Sequence, residues 1–262
     1  MMLSLLFGVG RGKLKPSLYV ITCQLLATMP KLHILLHVAG AVNFAYCVYG
    51  EAFIINIPDE LSPTRNKMGG ALKYLTHWNV WLQLVFYFLS LANDLFGSCA
   101  TETKSSSRLQ AARDHLFASL AFPIGVSVTA IFWAIWSVDR ELVMPARFDP
   151  WIPSHLNHAL HTAMLPLLIL ELGTVYHVYP KRRSGITTIA LFVMAYLAWV
   201  FFIAYYGGFW VYPILKKLDA TKRTFFLVIC AVGSALLYVG GELLNNLVWS
   251  RHVQAIKRTK DE

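Results

Sequence analysis

Six long apolar stretches, separated by short polar segments, dominate the chain. Each has about the 20 residues that a helix needs to cross the hydrocarbon core of a bilayer. Lipid offers no hydrogen-bond partner to an open strand edge, so we predict an α-helix for each stretch. The pattern predicts an all-α, polytopic membrane protein with a six-transmembrane-helix bundle over residues 33–250. The predicted spans are 33–56, 72–96, 116–138, 153–178, 186–206 and 224–249.

The two ends of the chain fall outside these spans. Residues 1–32 include an apolar run, 17–29, that is too short to cross the bilayer, so we expect an interfacial or partly disordered extension. Residues 251–262 form a basic tail. Most of the 23 Lys and Arg residues lie in the segments on the same side as the two termini. This bias predicts cytosolic termini. The tail resembles an imperfect dilysine retrieval signal, and the expected location of this multi-pass protein is the endoplasmic reticulum or plasma membrane.

The composition narrows the class of protein and of partner. Hydrophobic residues make up 56% and charged residues 14% of the chain, whereas soluble domains have about 25% charged residues. The net charge of +9 is spread over short loops and tails, which favours membrane lipids over nucleic acid as the partner. The four cysteines have no paired spacing, so neither a disulfide framework nor a zinc site is indicated. No obligate protein partner is inferred.

The second predicted helix has a polar stripe. At about 100° per residue, Thr76, Asn79, Gln83 and Asp94 fall within about 60° of one line. Polar groups in a span are costly in contact with lipid, so the stripe is predicted to face the bundle interior. Hydrogen bonds between helices would be sufficient to explain it.

The fourth predicted helix has a denser polar set. His158 and His161 share a face with Asn157, and His155 lies about 120° from His161. Pro166 is expected to kink this helix one turn beyond His161 and to free backbone groups within the bilayer. In the sixth helix, Glu242 lies next to a pair of glycines that would let another helix approach closely.

A hydroxyl beside a neutral imidazole is the minimum requirement for acyl transfer, and Thr76 with His161 would satisfy it. Spacing alone leaves Thr162 and His158 as competitors for the two roles. A site reached from within the bilayer would favour long-chain lipid esters as substrate. The tetrahedral oxyanion also needs a hydrogen-bond donor, for which the candidates are Asn79, Asn157 and His158.

Three other functions compete with an esterase. A histidine box of His155, His158 and His161 would suggest a metal enzyme, but this spacing places only two imidazoles on one face, so no metal or cofactor is expected. A transporter or receptor would suit the intramembrane carboxylates Asp94 and Glu171, yet no paired Gly/Pro-interrupted repeats occur. A non-catalytic lipid sensor, or a regulator of another protein's expression or trafficking, would use the same polar residues only for packing.

The motifs Lys73-Tyr74-Leu75-Thr76 and Leu156-Asn157-His158-Ala159-Leu160-His161 resemble those of one known family. This is the androgen-induced protein and androgen-dependent tissue-factor-pathway-inhibitor-regulating protein family of multi-pass membrane hydrolases. The resemblance implies hydrolysis of fatty acid esters of hydroxy fatty acids to a fatty acid and a hydroxy fatty acid, without metal or cofactor. It assigns the catalytic threonine to Thr76 and the catalytic histidine to His161. We add Asn79, Asn157, His158 and Glu242 as the predicted substrate-binding or supporting residues. The matching stretches, in the family's order, include Lys73-Tyr74-Leu75-Thr76, Leu156-Asn157-His158-Ala159-Leu160-His161, Trp210-Val211-Tyr212-Pro213 and Gly241-Glu242.

Overall fold

The computed structural model describes residues 30–102 and 105–261. These residues form helices and no strand, which confirms the predicted all-α class. The predicted extension lies mostly outside the described residues, whose first helix begins at Pro30. The helices are α1 Pro30–Tyr49, α2 Leu75–Phe96, α3 Arg108–Leu116, α4 Phe122–Asp139, α5 Ser154–His161, α6 Met164–Thr174, α7 Arg182–Tyr206, α8 Pro213–Lys217 and α9 Ala220–Asp261.

Two wider π-helical turns join or extend these helices. One, Gly50–Ile54, continues α1, and the other, Phe117–Ala121, joins α3 to α4 without a break. The second turn directly precedes Pro123, which has no N–H to donate to the preceding turn. A π-helical turn accommodates that loss within a continuous rod. The third predicted span, 116–138, therefore belongs to a longer rod that begins at Arg108.

Four of the described rods are long and apolar enough to cross a bilayer: Leu32–Ile54, Arg108–Leu142, Arg182–Tyr206 and Ala220–Ser250. Together with the composition, they identify an integral membrane protein. The other two predicted spans correspond to α2, which has the polar stripe, and to α5 and α6, which are separate helices. The count of six spans therefore stays a prediction.

Contacts between α1 and α2 show that these two helices run in opposite directions. Glu51, after the end of α1, bonds to His77 at the start of α2, with 2.9 Å between Nε2 and the carboxylate. His37, near the start of α1, bonds to Asp94 near the end of α2, with 2.5 Å between Nδ1 and the carboxylate. We call the end of the bundle that contains Glu51 and His77 the Thr76 end. Along α2, Asp94 lies about 27 Å from Thr76 at about 1.5 Å per residue.

A buried ionic cluster, here called the Glu171 cluster, holds the opposite end together. Glu171 lies between two imidazoles, 2.9 Å from His37 Nε2 and 3.3 Å from His177 Nε2. His177 in turn contacts Asp114 at 3.0 Å, and Asp114 pairs with Arg113 at 2.7 Å. Because buried charges are tolerated when they are paired, the cluster ties together the helices that supply them. Its members are Asp94, His37, Glu171, His177, Asp114 and Arg113.

The fourth predicted span is interrupted directly after His161, which corrects the predicted kink. α5 ends at His161 and α6 starts at Met164. Pro166 is the third residue of α6, and a proline ring clashes with the carbonyl four residues earlier, which here is that of Thr162. The break therefore lies one turn before Pro166, and not one turn beyond His161. This makes His161 a helix-terminal residue.

The long α9 helix contains 42 residues and continues through most of the predicted basic tail. Asp219 precedes it and accepts a hydrogen bond at 2.9 Å from the backbone N–H of Lys222. This bond, with the nearby Lys222 ammonium, holds the pKa of Asp219 below its ordinary value. At the other end of α9, residues 251–261 continue the same helix.

Candidate active site

Thr76 is the second residue of α2, at the point where the chain enters the bundle. The preceding residue, Tyr74, is extended, and α2 begins at Leu75. The first N–H groups of a helix have no partner within it. Here the Leu75 N–H donates to the hydroxyls of Tyr196 at 3.0 Å and Tyr212 at 2.9 Å. Two phenol groups from α7 and the loop after it therefore fix the start of α2, and with it Thr76.

His161 faces Thr76 from the end of α5. Its Nε2 lies 3.3 Å from Thr76 Oγ1, within hydrogen-bond reach. The two residues are 85 positions apart in the chain. His161 is buried and Thr76 is half-buried. The structure therefore brings together the two residues that the family resemblance singled out.

Asn157 determines which nitrogen of His161 faces the threonine. His161 Nδ1 lies 3.0 Å from the Asn157 side-chain oxygen and 3.1 Å from the Asn157 backbone oxygen. Both are acceptors, so Nδ1 holds the proton and the lone pair of Nε2 is directed at the Thr76 hydroxyl. The i, i+4 spacing of Asn157 and His161 is the sequence signal for this contact.

Two aromatic residues of α4 hold the imidazole from another side. The ring of Phe132 stacks on His161 with a centroid distance of 3.7 Å and an interplanar angle of 12°. Trp133 Nε1 donates to the backbone oxygen of His161 at 3.3 Å. The stacking and the bonds to Asn157 together leave the imidazole little freedom to rotate. Phe132-Trp133 is one of the stretches that match the family motifs, but neither residue was predicted to belong to the site.

Asn79 lies one turn deeper in α2 and is fully buried. Its Nδ2 is 2.7 Å from Met164 Sδ, and its side-chain oxygen accepts from Gln83 Nε2 at 3.1 Å. Gln83 is fully buried too, so the polar stripe of α2 faces the interior as predicted. These contacts engage Asn79 in packing α2 against α6 and not with Thr76 or His161.

The competing pair, His158 and Thr162, lies on the outside of the bundle. Both residues are exposed, and His158 Nδ1 is 3.0 Å from Thr162 Oγ1. His155 bonds instead to the Tyr46 hydroxyl at 2.9 Å. The three histidines of this segment therefore have three separate partners. Within residues 30–102 and 105–261, no group of three or more His, Cys, Asp or Glu side chains is arranged to hold a metal ion.

Glu242 is remote from the candidate pair. Its carboxylate accepts from Arg182 Nε at 2.7 Å, at the start of α7. Tyr196, whose hydroxyl contacts the residue before Thr76, lies about 21 Å further along α7 at about 1.5 Å per residue. The structure therefore does not bring Glu242 to the site.

An apolar cavity of about 110 Å³ opens beside Thr76, between α4, α7 and α9. Its wall along α4 runs from Ile124 to Ile135, about 16 Å at about 1.5 Å per residue. That length is close to half of the roughly 30 Å hydrocarbon core, which is the depth of one leaflet. The cavity therefore offers an apolar surface, beginning at Thr76, to part of a hydrocarbon chain. Its lining includes Thr76, Phe132, Tyr196, Tyr212, Phe226 and Ser234.

A polar network covers the Thr76 end. Glu51 accepts from Arg65 at 2.5 Å and contacts His77 at 2.9 Å. The buried Lys73 ammonium donates to the backbone oxygens of Thr64 and Arg65 at 2.7 and 2.5 Å. These bonds attach the loop after α1 to the residues that precede and follow Thr76. The loop is therefore held against the start of α2, next to Thr76.

Comparisons with known proteins identify the family. The model of the FAR-17a/AIG1-like protein family matches residues 32–246. The androgen-induced gene 1 protein of Homo sapiens is 36% identical over 215 residues, which cover 80% of this chain and 89% of that protein. The androgen-dependent TFPI-regulating protein of Homo sapiens is 34% identical over 202 residues, which cover 77% and 87%.

A more distant relative is the UPF0641 membrane protein of Schizosaccharomyces pombe, 23% identical over 178 residues that cover 67% of this chain and 75% of that protein. No solved structure matches the chain. The family match extends over α1 to α7 and most of the apolar part of α9, and so includes both Thr76 and His161. The chain belongs to the FAR-17a/AIG1-like protein family.

Proposed function

We propose that the protein is an intramembrane threonine hydrolase that cleaves fatty acid esters of hydroxy fatty acids to a fatty acid and a hydroxy fatty acid. The observation that supports it best is the Thr76–His161 contact of 3.3 Å, with Asn157 on the other imidazole nitrogen. An alcohol, an imidazole and an orienting group are the parts that nucleophilic ester hydrolysis requires. The motif resemblance assigns the same two residues.

In the proposed reaction, Thr76 Oγ attacks the ester carbonyl while its proton passes to His161 Nε2. Asn157 accepts the hydrogen bond from Nδ1 and stabilises the imidazolium that forms. Collapse of the tetrahedral intermediate breaks the bond to the hydroxy fatty acid, whose oxygen takes the proton from Nε2. Water then repeats the sequence on the acyl-threonine, releases the fatty acid and restores the Thr76 hydroxyl.

The proposed substrate class follows from the cavity. Its wall is mostly aliphatic and aromatic, and its length matches one leaflet. An acyl chain could occupy it with its ester carbonyl beside Thr76, and the transfer from bilayer to cavity would keep the chain out of water. The protein would therefore act on a membrane-dissolved lipid ester in preference to a short, water-soluble one.

The proposed membrane arrangement has six spans and two cytosolic termini. Beyond the four apolar rods, α2 and the α5–α6 pair would be the additional spans, with their polar faces buried against neighbouring helices. The Thr76 end would then face away from the cytosol. The endoplasmic reticulum and the plasma membrane are the proposed locations.

The test is hydrolysis of a fatty acid ester of a hydroxy fatty acid by purified protein in detergent, with chelator present throughout. Wild type should release fatty acid, while Thr76→Ala and His161→Ala should each lose essentially all turnover and keep the wild-type melting temperature. Thr162→Ala is the matched control, since that hydroxyl also pairs with a histidine but faces outward. If Thr162→Ala lost activity while Thr76→Ala stayed fully active, the nucleophile would be Thr162 and not Thr76.

The alternative function is non-catalytic. One relative is named an androgen-dependent TFPI-regulating protein, and a regulator of another protein would need Thr76 and His161 only for packing. Absence of hydrolysis by well-folded wild type, over a panel of lipid esters, would favour this alternative.

A further inference from the structure

The candidate pair needs a group that stabilises the oxyanion, and the three side chains predicted for that role have other partners. Asn79 Nδ2 contacts Met164 Sδ. His158 faces outward with Thr162. The Asn157 side-chain oxygen accepts from His161, and Asn157 does not line the cavity. A hydrogen-bond donor that faces the cavity beside Thr76 therefore has to come from another residue.

We infer that the Tyr212 hydroxyl is the oxyanion donor and that Tyr196 is the residue that positions it. This inference rests on the proposed function. Tyr212 lines the same cavity as Thr76, and its hydroxyl lies 2.9 Å from the backbone nitrogen of Leu75, the residue before the nucleophile. Tyrosine hydroxyls act as oxyanion donors when they are held at the point where negative charge develops.

The hydrogen-bond inventory leaves the Tyr212 proton available. The Tyr212 oxygen accepts from the Leu75 N–H at 2.9 Å and from the Tyr196 hydroxyl at 3.1 Å. The single Tyr196 proton also lies within reach of the Lys73 backbone oxygen at 3.2 Å, and the Tyr212 proton is available when Tyr196 donates to Tyr212. Within the described part of the chain, no such acceptor faces the Tyr212 proton. It can therefore point into the cavity without breaking an existing bond.

The same bonds make Tyr212 a stronger donor. A hydroxyl that accepts two hydrogen bonds is polarised, and its own proton becomes a better donor. Tyr212 is also held by packing, since its ring lies 5.7 Å from that of Tyr74 and the next residue, Pro213, begins α8. A preorganised donor in a low-dielectric site needs no reorientation as charge develops. Tyr196 is buried and its hydroxyl contacts that of Tyr212 at 3.1 Å, which suits a positioning role.

Tyr212 keeps its proton throughout the proposed reaction. As Thr76 Oγ bonds to the carbonyl carbon, the π electron pair moves to the carbonyl oxygen, which accepts a hydrogen bond from the Tyr212 O–H. When the carbonyl re-forms, the bond to the leaving alcohol breaks, and that oxygen takes the proton held by His161. The same donor serves the second intermediate, in which water attacks the acyl-threonine.

The test compares Tyr212→Phe and Tyr196→Phe with wild type, and uses the exposed Tyr205→Phe as control. Removal of one oxyanion donor costs roughly 10²- to 10³-fold in kcat. We expect that loss for Tyr212→Phe with unchanged KM, a loss of about tenfold for Tyr196→Phe, and a double variant no slower than Tyr212→Phe. Additive losses in the double variant would contradict the relay from Tyr196 to Tyr212.

Two inhibitors separate a catalytic from a structural role. A long-chain trifluoromethyl ketone forms an oxyanion on Thr76, whereas an ether analogue of the ester does not. Tyr212→Phe should weaken the ketone by about the same factor as kcat/KM and leave the affinity for the ether unchanged. Equal weakening of both would overturn the inference.

The outcomes also distinguish this inference from the proposed function. Wild type that hydrolyses the ester, with Tyr212→Phe within about threefold of it, refutes the role of Tyr212 alone. Inactive wild type refutes both. If Tyr212→Phe does not fold, Tyr196→Phe is the deciding variant. An unchanged kcat in Tyr196→Phe would show that the bond from Tyr196 to Tyr212 does not contribute to catalysis, and would refute the inference.

Discussion

The hydrogen bond between Asn157 and His161 makes the sharpest prediction about catalysis. Asn157→Leu removes the side-chain acceptor at 3.0 Å and keeps a similar volume, while the backbone acceptor at 3.1 Å stays in place. Neither Thr76 nor the wall of the cavity loses a contact. The variant therefore isolates the contribution of the amide oxygen to the imidazole.

The magnitude follows from the change in charge during the reaction. A hydrogen bond to neutral imidazole contributes about 0.5–1.5 kcal/mol, and one to a charged group about 1.5–3 kcal/mol. The bond to Asn157 therefore stabilises the transition state about 1–1.5 kcal/mol more than the ground state. Since about 1.4 kcal/mol corresponds to a tenfold change in rate, kcat should fall roughly tenfold. The remaining backbone acceptor keeps the tautomer, so a loss of about 10⁴-fold is not expected.

The assay is steady-state hydrolysis in detergent, with kcat and KM determined separately. KM should be unchanged, because Asn157 does not line the cavity. Asn43→Leu is the matched control, since Asn43 is an asparagine that also bonds to a residue of α5. It donates to the backbone oxygen of Ala159, away from His161. A kcat within twofold of wild type would refute the orienting role. A loss above 10³-fold, with an unchanged melting temperature, would show that the amide does more than accept one bond.

Three further variants test the fold and the cavity. Glu171→Gln should lower stability by about 3 kcal/mol or more, because the two buried histidines lose their shared carboxylate; an unchanged melting temperature would contradict this. Gly185→Ala should lower it by about 1–3 kcal/mol, since the new methyl group would overlap the Tyr238 ring, whereas Gly233→Ala meets no atom within 4 Å and should be neutral. Ala231→Phe should narrow the cavity and shift hydrolysis toward shorter acyl chains, and an unchanged chain-length profile would place the acyl chain elsewhere.

Local sequence was sufficient to predict the all-α class, because a long apolar stretch in lipid has no other way to satisfy its backbone. It did not place the break after His161 or the start of the third rod at Arg108. Periodicity was sufficient for the inward face of α2, where Asn79 and Gln83 are fully buried. The motif resemblance identified Thr76 and His161, which composition and spacing alone did not separate from Thr162 and His158.

Only the tertiary structure decided which polar residues meet. His158 and His161 are three residues apart and both stack on aromatic rings of α4, yet His161 is buried beside Thr76 whereas His158 is exposed.

The proposed oxyanion donor, Tyr212, lies in the loop before α8. Its hydroxyl bonds to the backbone N–H of Leu75, the residue before Thr76, and these two residues are 137 positions apart in the chain. Glu242 matched the same family pattern but lies with Arg182, far from the pair. The spacing of residues along one helix fixes the direction and depth of their side chains. The partner of each side chain on another helix depends on how all the helices of the bundle pack.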